Sequence, residues 1–249
     1  MDVVNTRLAV VTGGIGGLGT EICRHLARSG RRVIAADLGR EDRVAEFREE
    51  LREFNGAIHF EPVNVADYDA CVDFAQRIRS QYGPVGILIN GAGITRDVTL
   101  RKMSAQHWTD VIRVNLDGVF NLTRQFVDEM CDNGFGRIVN ISSVNGQTGQ
   151  FGQTNYSAAK AGMHGFTMAL AREVARKGVT VNSVSPGYCK TQLVMNIPEA
   201  VRADIISRVP VGRMGEPHDI ARVIDFLTAD ESSFITGANI PVNGGYYMS

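Results

Sequence analysis

Arg7-Leu8-Ala9-Val10-Val11-Thr12-Gly13-Gly14-Ile15-Gly16-Gly17-Leu18-Gly19-Thr20-Glu21-Ile22-Cys23-Arg24-His25-Leu26-Ala27 passes from an apolar, β-branched run through a glycine-rich turn into helical spacing. The run ending at Thr12 predicts a short buried strand, and Ile22, Leu26 and Ala27 recur as on one face of a helix. Between a strand and a helix, such glycines carry dinucleotide-binding meaning rather than mere flexibility. They permit a tight turn and close backbone approach, while the helix N-terminus offers unpaired N–H groups and a positive dipole end to a pyrophosphate. The spacing is T-G-x-x-x-G-x-G, carried by Thr12, Gly13, Gly17 and Gly19, with Gly14, Ile15 and Leu18 completing the turn. It differs from the G-x-G-x-x-G of the common dinucleotide-binding enzymes.

Downstream the alternation continues. Further strands are expected at 32–37, 57–63, 85–90, 136–142, 179–185 and 238–242, and helices most clearly at 67–82, 104–133 and 154–177. This order implies an α/β fold, a Rossmann-type doubly wound parallel sheet of about seven strands with helices on both faces. No proline- or serine-rich linker and no internal repeat interrupts residues 1–249, so one domain is expected. Residues 190–214 follow the sixth strand, where a parallel sheet opens its ligand crevice, and carry Pro198, Pro210 and a short helix.

Composition narrows the partners. With 44% hydrophobic residues the chain can bury a full core, and a formal net charge of −1 gives no electrostatic reason to expect nucleic acid or an anionic membrane. No apolar run is long enough to span a bilayer. The opening Met1-Asp2-Val3-Val4-Asn5-Thr6 is too short and polar to read as a signal peptide. Cys23, Cys71, Cys131 and Cys189 are scattered, as expected of reduced cysteines in a cytoplasmic protein. His25, His59, His107, His164 and His218 form no ligand spacing, and no metal site is expected.

Tyr156-Ser157-Ala158-Ala159-Lys160 carries the chemistry. A tyrosine and a lysine at i and i+4 share a helix face, so an ammonium can sit beside a phenol. A neighbouring cation favours the phenolate and would bring its pKa down from about 10 toward the range of general acid–base work. Ser143 lies upstream at the end of the fifth strand, where its hydroxyl can meet a substrate carbonyl or simply cap a turn.

With these residues in place, the chain from about Arg7 to Gly245 resembles the short-chain dehydrogenase/reductase family. Thr12-Gly13-x-x-x-Gly17-x-Gly19 fits its cofactor turn, and Asn90-Gly91-Ala92-Gly93 fits its N-N-A-G motif with glycine at the second position. Asn115, Ser143, Tyr156 and Lys160 fall at the spacings of its catalytic tetrad, and Pro186-Gly187 fits its P-G motif. The resemblance implies hydride transfer between a nicotinamide and a carbonyl or secondary alcohol. Ser143 would polarise the carbonyl, Tyr156 would donate the proton, Lys160 would hold the nicotinamide ribose, and Asn115 would support a water relay. It further implies that residues 90–93 admit the adenosine half, that Thr191 meets the carboxamide, and that residues 190–214 form a mobile lid. Asn64-Val65 would meet the adenine, or Asn64 is a plain turn residue.

A closer likeness is to the acetoacetyl-CoA reductases of polyhydroxybutyrate synthesis. Ser142 to Tyr156, Gly162 to Leu170, Val184 to Tyr188 and Gly93 to Asp97 carry it, with Arg101-Lys102-Met103 nearby. It implies an acyl-CoA substrate, reduced to the R product, with Asp97, Lys102, Gln150, Phe151, Gln153 and Tyr188 at the substrate. Arg96, Arg101 and Lys102 would offer charge to coenzyme A phosphates, or are solvated surface cations. Two alternatives stand beside this: a 3-oxoacyl carrier-protein reductase, and a nucleotide-binding regulator that has lost catalysis. The regulator would be expected to lack a tetrad residue. Relatives are commonly homotetramers that pair the helices at 104–133 and 154–177.

The nicotinamide is argued both ways. Asp37 ends the second strand, where a carboxylate bonds the adenosine ribose of NAD and repels the 2′-phosphate of NADP. Ile15 adds no positive charge, whereas Arg40 and Arg43 follow closely and could take a 2′-phosphate. Asp37 could instead turn outward and pair with one of these arginines. The residues lean to NADH; the likeness favours NADPH.

Overall fold

The computed structural model describes residues 7–248, so the opening Met1 to Thr6, read above as no signal peptide, lies outside the described residues. The first strand, β1 (Leu8–Thr12), is buried along its whole length and leads through the glycine turn into α1 (Gly17–Arg28). Then follow β2 (Arg32–Asp37), α2 (Glu41–Glu50), β3 (Ile58–Pro62), α3 (Tyr68–Tyr82) and β4 (Val85–Asn90). The second half runs α4 (Ala105–Ile112), α5 (Gly118–Asp132), β5 (Gly136–Ile141), the single turn α6 (Asn145–Thr148), α7 (Thr154–Val174) and β6 (Val179–Pro186). It closes with α8 (Gln192–Met195), α9 (Glu199–Ser207), α10 (Pro217–Thr228) and β7 (Asn239–Val242). No helix among the described residues is long and apolar enough to cross a membrane.

All seven strands pair in parallel in the order β3-β2-β1-β4-β5-β6-β7. The pleat of β1 divides its side chains between two cores. Ala9 and Val11 join Ile22 and Leu26 of α1, Phe47 of α2, and Ile220 and Ile224 of α10 on one face. Leu8 and Val10 join Phe74 and Ile78 of α3, Leu122 and Phe126 of α5, and Val174 of α7 on the other. Strands covered on both faces must be apolar throughout, which is why they read as continuous hydrophobic runs.

Strand order reverses between β1 and β4, so chain exits at Thr12 and Asn90, paired in register, diverge to opposite sides of the sheet. That divergence opens the crevice in which such sheets take ligands. Thr12 holds it together: its hydroxyl accepts from the Gly91 and Ala92 N–H groups at 3.0 and 3.1 Å.

The helix expected at 104–133 is not uniform. Between α4 and α5 the chain widens into a π-helical turn at Arg113–Asp117 with Asn115 at its centre. Widening leaves backbone carbonyls short of their usual donors, and the Asn115 side chain supplies one, donating to the Val111 carbonyl at 2.9 Å. The segment at 190–214 contains two short helices, α8 and α9, rather than one.

Candidate active site

The glycine turn is built to let a ligand approach backbone. Gly13 has φ +67°, and a Cβ there would lie 2.8 Å from the Gly91 carbonyl oxygen. A Cβ on Gly19 would meet the Gly13 carbonyl oxygen at 2.0 Å, so that glycine packs the helix onto its own turn. At the mouth, Gly17 faces Thr191, whose Cβ would be 3.2 Å from an added methyl. The first turn of α1 holds no acidic residue and its N-cap, Gly16, makes no side-chain cap. Free N–H groups, a positive dipole end and a floor of glycines suit a pyrophosphate, so the residues present fit a dinucleotide.

Several expected contacts take a different form. Thr12 is 2% exposed and its hydroxyl is committed to the neighbouring turn, so it acts on the crevice through backbone placement. Ile15 packs into the core, leaving only its backbone toward a ligand, and Leu18 packs against the same cluster. Asn90 donates to Thr123 Oγ1 at 3.1 Å and Asn140 Oδ1 at 2.8 Å beneath the site. Asn64 Oδ1 accepts from the Ala66 N–H at 3.1 Å, the geometry of a turn residue, while Val65 lies under Gly118. Gly187 donates to the Val242 carbonyl at 2.9 Å just after buried Pro186, anchoring the P-G turn to β7.

Asp37 does not swing out to an arginine. Its Oδ1 accepts from the Leu38 N–H at 2.8 Å, and among the described residues no salt bridge reaches it. Burial raises its pKa, against the Leu38 and Ile15 N–H groups and the Arg43 charge. Arg40 pairs with Asp42 at 3.1 Å, and Arg43 pairs with Glu46 while donating to the Ile15 carbonyl at 3.1 Å.

The four residues of the tetrad spacing converge beside Gly93. A Cβ on Gly93 would lie 2.6 Å from Asn115 Oδ1 and 3.6 Å from Lys160 Nζ. Asn115 donates to the Ile94 carbonyl at 2.9 Å, and its Oδ1 is a buried acceptor without a partner among the described residues. Lys160 is 3% exposed; Nζ donates to the Ile141 carbonyl at 2.7 Å and lies 5.6 Å from the centre of the Tyr156 ring. The Ser143 hydroxyl lies near enough to that of Tyr156 to lower its pKa.

The pKa shift expected of this pair is corrected by the geometry. Burial pushes Tyr156 up to about 12, outweighing the lowering by Ser143, while the Asp97 charge adds to the rise. Burial also pushes Lys160 down to about 7, so the cation meant to favour a phenolate is itself disfavoured. Tyr156 therefore holds its proton at neutral pH, the state a proton donor needs.

Around this centre, Gln153 donates to Asp97 at 2.8 Å, and the Tyr188 and Tyr246 rings meet edge-on at 5.7 Å. Phe151 is 86% exposed and stands in solvent, not as a packed wall; Gln150 and Lys102 are also exposed. Two residues the sequence did not single out lie inside the cluster. Asn145 joins Gln153, with Nδ2 2.9 Å from Oε1. His164 Nε2 lies 2.8 Å from Ser142 Oγ, one helical turn beyond Lys160. Their closeness in sequence to Ser143 and Lys160 was the only available signal.

Comparison with known proteins agrees with this geometry. The profile of the short chain dehydrogenase family matches residues 7–202. An acetoacetyl-CoA reductase of Allochromatium vinosum is 54% identical, covering 97% of this chain and 99% of its own. An acetoacetyl-CoA reductase of Cupriavidus necator is 52% identical, covering 97% and 98%. A 3-oxoacyl-(acyl-carrier-protein) reductase of Haemophilus influenzae is 40% identical, covering 98% and 99%. The crevice at the strand reversal, the glycine turn and these likenesses place the chain in the short chain dehydrogenase family of NAD(P)H-dependent oxidoreductases.

Proposed function

We propose that this chain reduces acetoacetyl-CoA to (R)-3-hydroxybutyryl-CoA with NAD(P)H, in the service of polyhydroxybutyrate synthesis. The observation that carries the chemistry is the Ser143–Tyr156 hydroxyl pair set beside buried Lys160. The substrate rests on likeness to relatives named for that reaction at 52% and 54% identity. When bound, the nicotinamide supplies the hydride. Ser143 and Tyr156 then act together on one carbonyl oxygen: both hydroxyls donate to it, and Tyr156 gives its proton to the developing alkoxide. Lys160 holds the nicotinamide ribose and, while protonated, steadies the phenolate that Tyr156 leaves. The unpaired Asn115 Oδ1 beside Lys160 supports a water through which the proton is replaced. Thr191 stands at Gly17 on the segment proposed as a lid, 190–214, within a one-domain enzyme.

For the nicotinamide we favour NADH. Among the described residues no salt bridge reaches Asp37, while Arg40 and Arg43 each face an acid of their own, so a 2′-phosphate would meet the Asp37 carboxylate first. The decisive assay follows acetoacetyl-CoA with NADH and NADPH in parallel, in the parent and in Asp37→Ala, with chiral analysis of the product. We expect the R alcohol, an NADH preference in the parent, and about a tenfold gain in kcat/KM for NADPH in the variant. An S product would reject the proposed reaction. A parent preferring NADPH, with no gain on removing Asp37, would reject the role of that carboxylate. The relative at 40% identity keeps carrier-protein thioesters as the second substrate class, and a much higher kcat/KM on them would make that the function.

We also propose a cytoplasmic homotetramer built on α4, α5 and α7. Trp108, Phe120 and Met168 stand 41%, 48% and 52% exposed on these helices, and a cleft of about 780 Å³ lined by Tyr68, Leu116, Phe120 and Phe166 opens beside them. Light scattering should give four times the 27.1 kDa chain mass. Monomers at micromolar concentration would overturn this assembly.

A further inference from the structure

We propose that Asn145 is a positioning residue that fixes Gln153 in the substrate wall and ties it to Ser143. Asn145 donates from both its backbone and its side chain. Its backbone N–H donates to Ser143 Oγ at 3.1 Å, and its side-chain amide donates to Gln153 Oε1 at 2.9 Å.

Chemistry fixes the orientation of both amides. A carboxylate only accepts, so Gln153 must turn its NH₂ toward Asp97, at 2.8 Å. Gln153 Oε1 is left to face Asn145, which must answer with its own NH₂. The chain of hydrogen bonds therefore runs from Asn145 to Gln153 and from Gln153 to Asp97.

The platform for Asn145 is rigid. A Cβ on Gly146 would lie 2.9 Å from the Lys160 backbone, so the turn sits flush on α7. The Val144 N–H donates to the Pro186 carbonyl at 2.8 Å, tying the same turn to the end of β6. Asn145 is only 9% exposed, so an apolar side chain there would leave Gln153 Oε1 without its partner.

This inference rests on Gln153 meeting the acyl end of the substrate proposed above, as the resemblance implies. The test compares steady-state kinetics and cofactor binding for the parent, Asn145→Leu, Asn145→Asp, Gln153→Leu and the Asn145→Leu/Gln153→Leu double variant. Aspartate keeps the shape of asparagine and removes both amide donors, so it decides the matter if the leucine variant does not fold. The backbone link to Ser143 survives in every variant. We therefore expect KM for acetoacetyl-CoA to rise about tenfold, kcat to stay within about threefold, and cofactor Kd to hold. The double variant should be no worse than Asn145→Leu alone, because both act through one hydrogen-bonded unit. A folded Asn145→Asp with parental KM, additive losses in the double variant, or a joint fall in kcat and cofactor affinity would each overturn the proposal. If Gln153→Leu also leaves KM unchanged, the acyl-wall reading falls too; if it raises KM while Asn145→Asp does not, only the positioning role falls.

Discussion

Replacing Tyr156 with phenylalanine is expected to lower kcat by about a thousandfold, with cofactor Kd nearly unchanged. The change removes one oxygen and keeps the ring beside Lys160. What is lost is the donor that reaches the carbonyl oxygen together with Ser143, and a developing alkoxide is left to draw its proton from solvent. Since that contact strengthens only as charge develops, kcat and kcat/KM should fall together, with KM steady. Stopped-flow turnover and fluorescence titration of the nicotinamide separate these quantities. A Tyr156→Phe enzyme turning over at near-parental rate would end the assignment of Tyr156 as proton donor.

Lys160→Met is expected to abolish turnover, weaken nicotinamide binding and yet make the protein without added cofactor more heat-stable. Burial lowers the Lys160 pKa from 10.5 to about 7. Between those values the unfolded chain binds more protons than the folded one, so the fold gains stability as pH rises from about 7 toward 10.5. Below about 7 the ammonium is charged in both states and the burial penalty is felt in full. Methionine fills similar space without the charge, at the cost of the bond to the Ile141 carbonyl. Thermal melts should show a Tm several degrees above the parent at pH 6, and a flatter rise between pH 7 and 10. A lower Tm at pH 6 would show that the Ile141 bond outweighs the burial of the cation.

The sheet was legible because doubly covered strands must be apolar along their length. The expected strands at 32–37 and 85–90 coincide with β2 and β4, and the remaining expected ends fall close to the observed ones. Less legible was α2, whose stretch Glu41–Glu50 buries only Val44 and Phe47 among charges. The widened turn at Asn115 was hidden, since one added residue barely disturbs an apolar period counted over 104–133. Within the crevice, the Tyr156–Lys160 pair was legible from its helical spacing, whereas Asn115 and the role of Ser143 came from the family resemblance. A residue inside a helical stretch or at a strand end carries no chemical signature of its own. Protonation was another matter. The direction of the Tyr156 shift depends on how much protein surrounds the hydroxyl, and no motif records that. Phe151 likewise reads as an aromatic wall in the sequence, but its turn carries it into solvent.

The π-helical turn at Arg113–Asp117 makes one continuous rod behave as two with different phases. Each extra residue in a helix advances the following side chains by roughly 100° about the axis. The α4 half is thus clocked to lie on α7, and the α5 half to lie on α3 and β4, although no loop separates them. Substitution alone cannot restore a single phase, because the mismatch is one of count and not of side-chain type. The register that sets Asn115 beside Lys160 is stored in the number of residues, so it is robust to point mutation and vulnerable to the loss of a single codon.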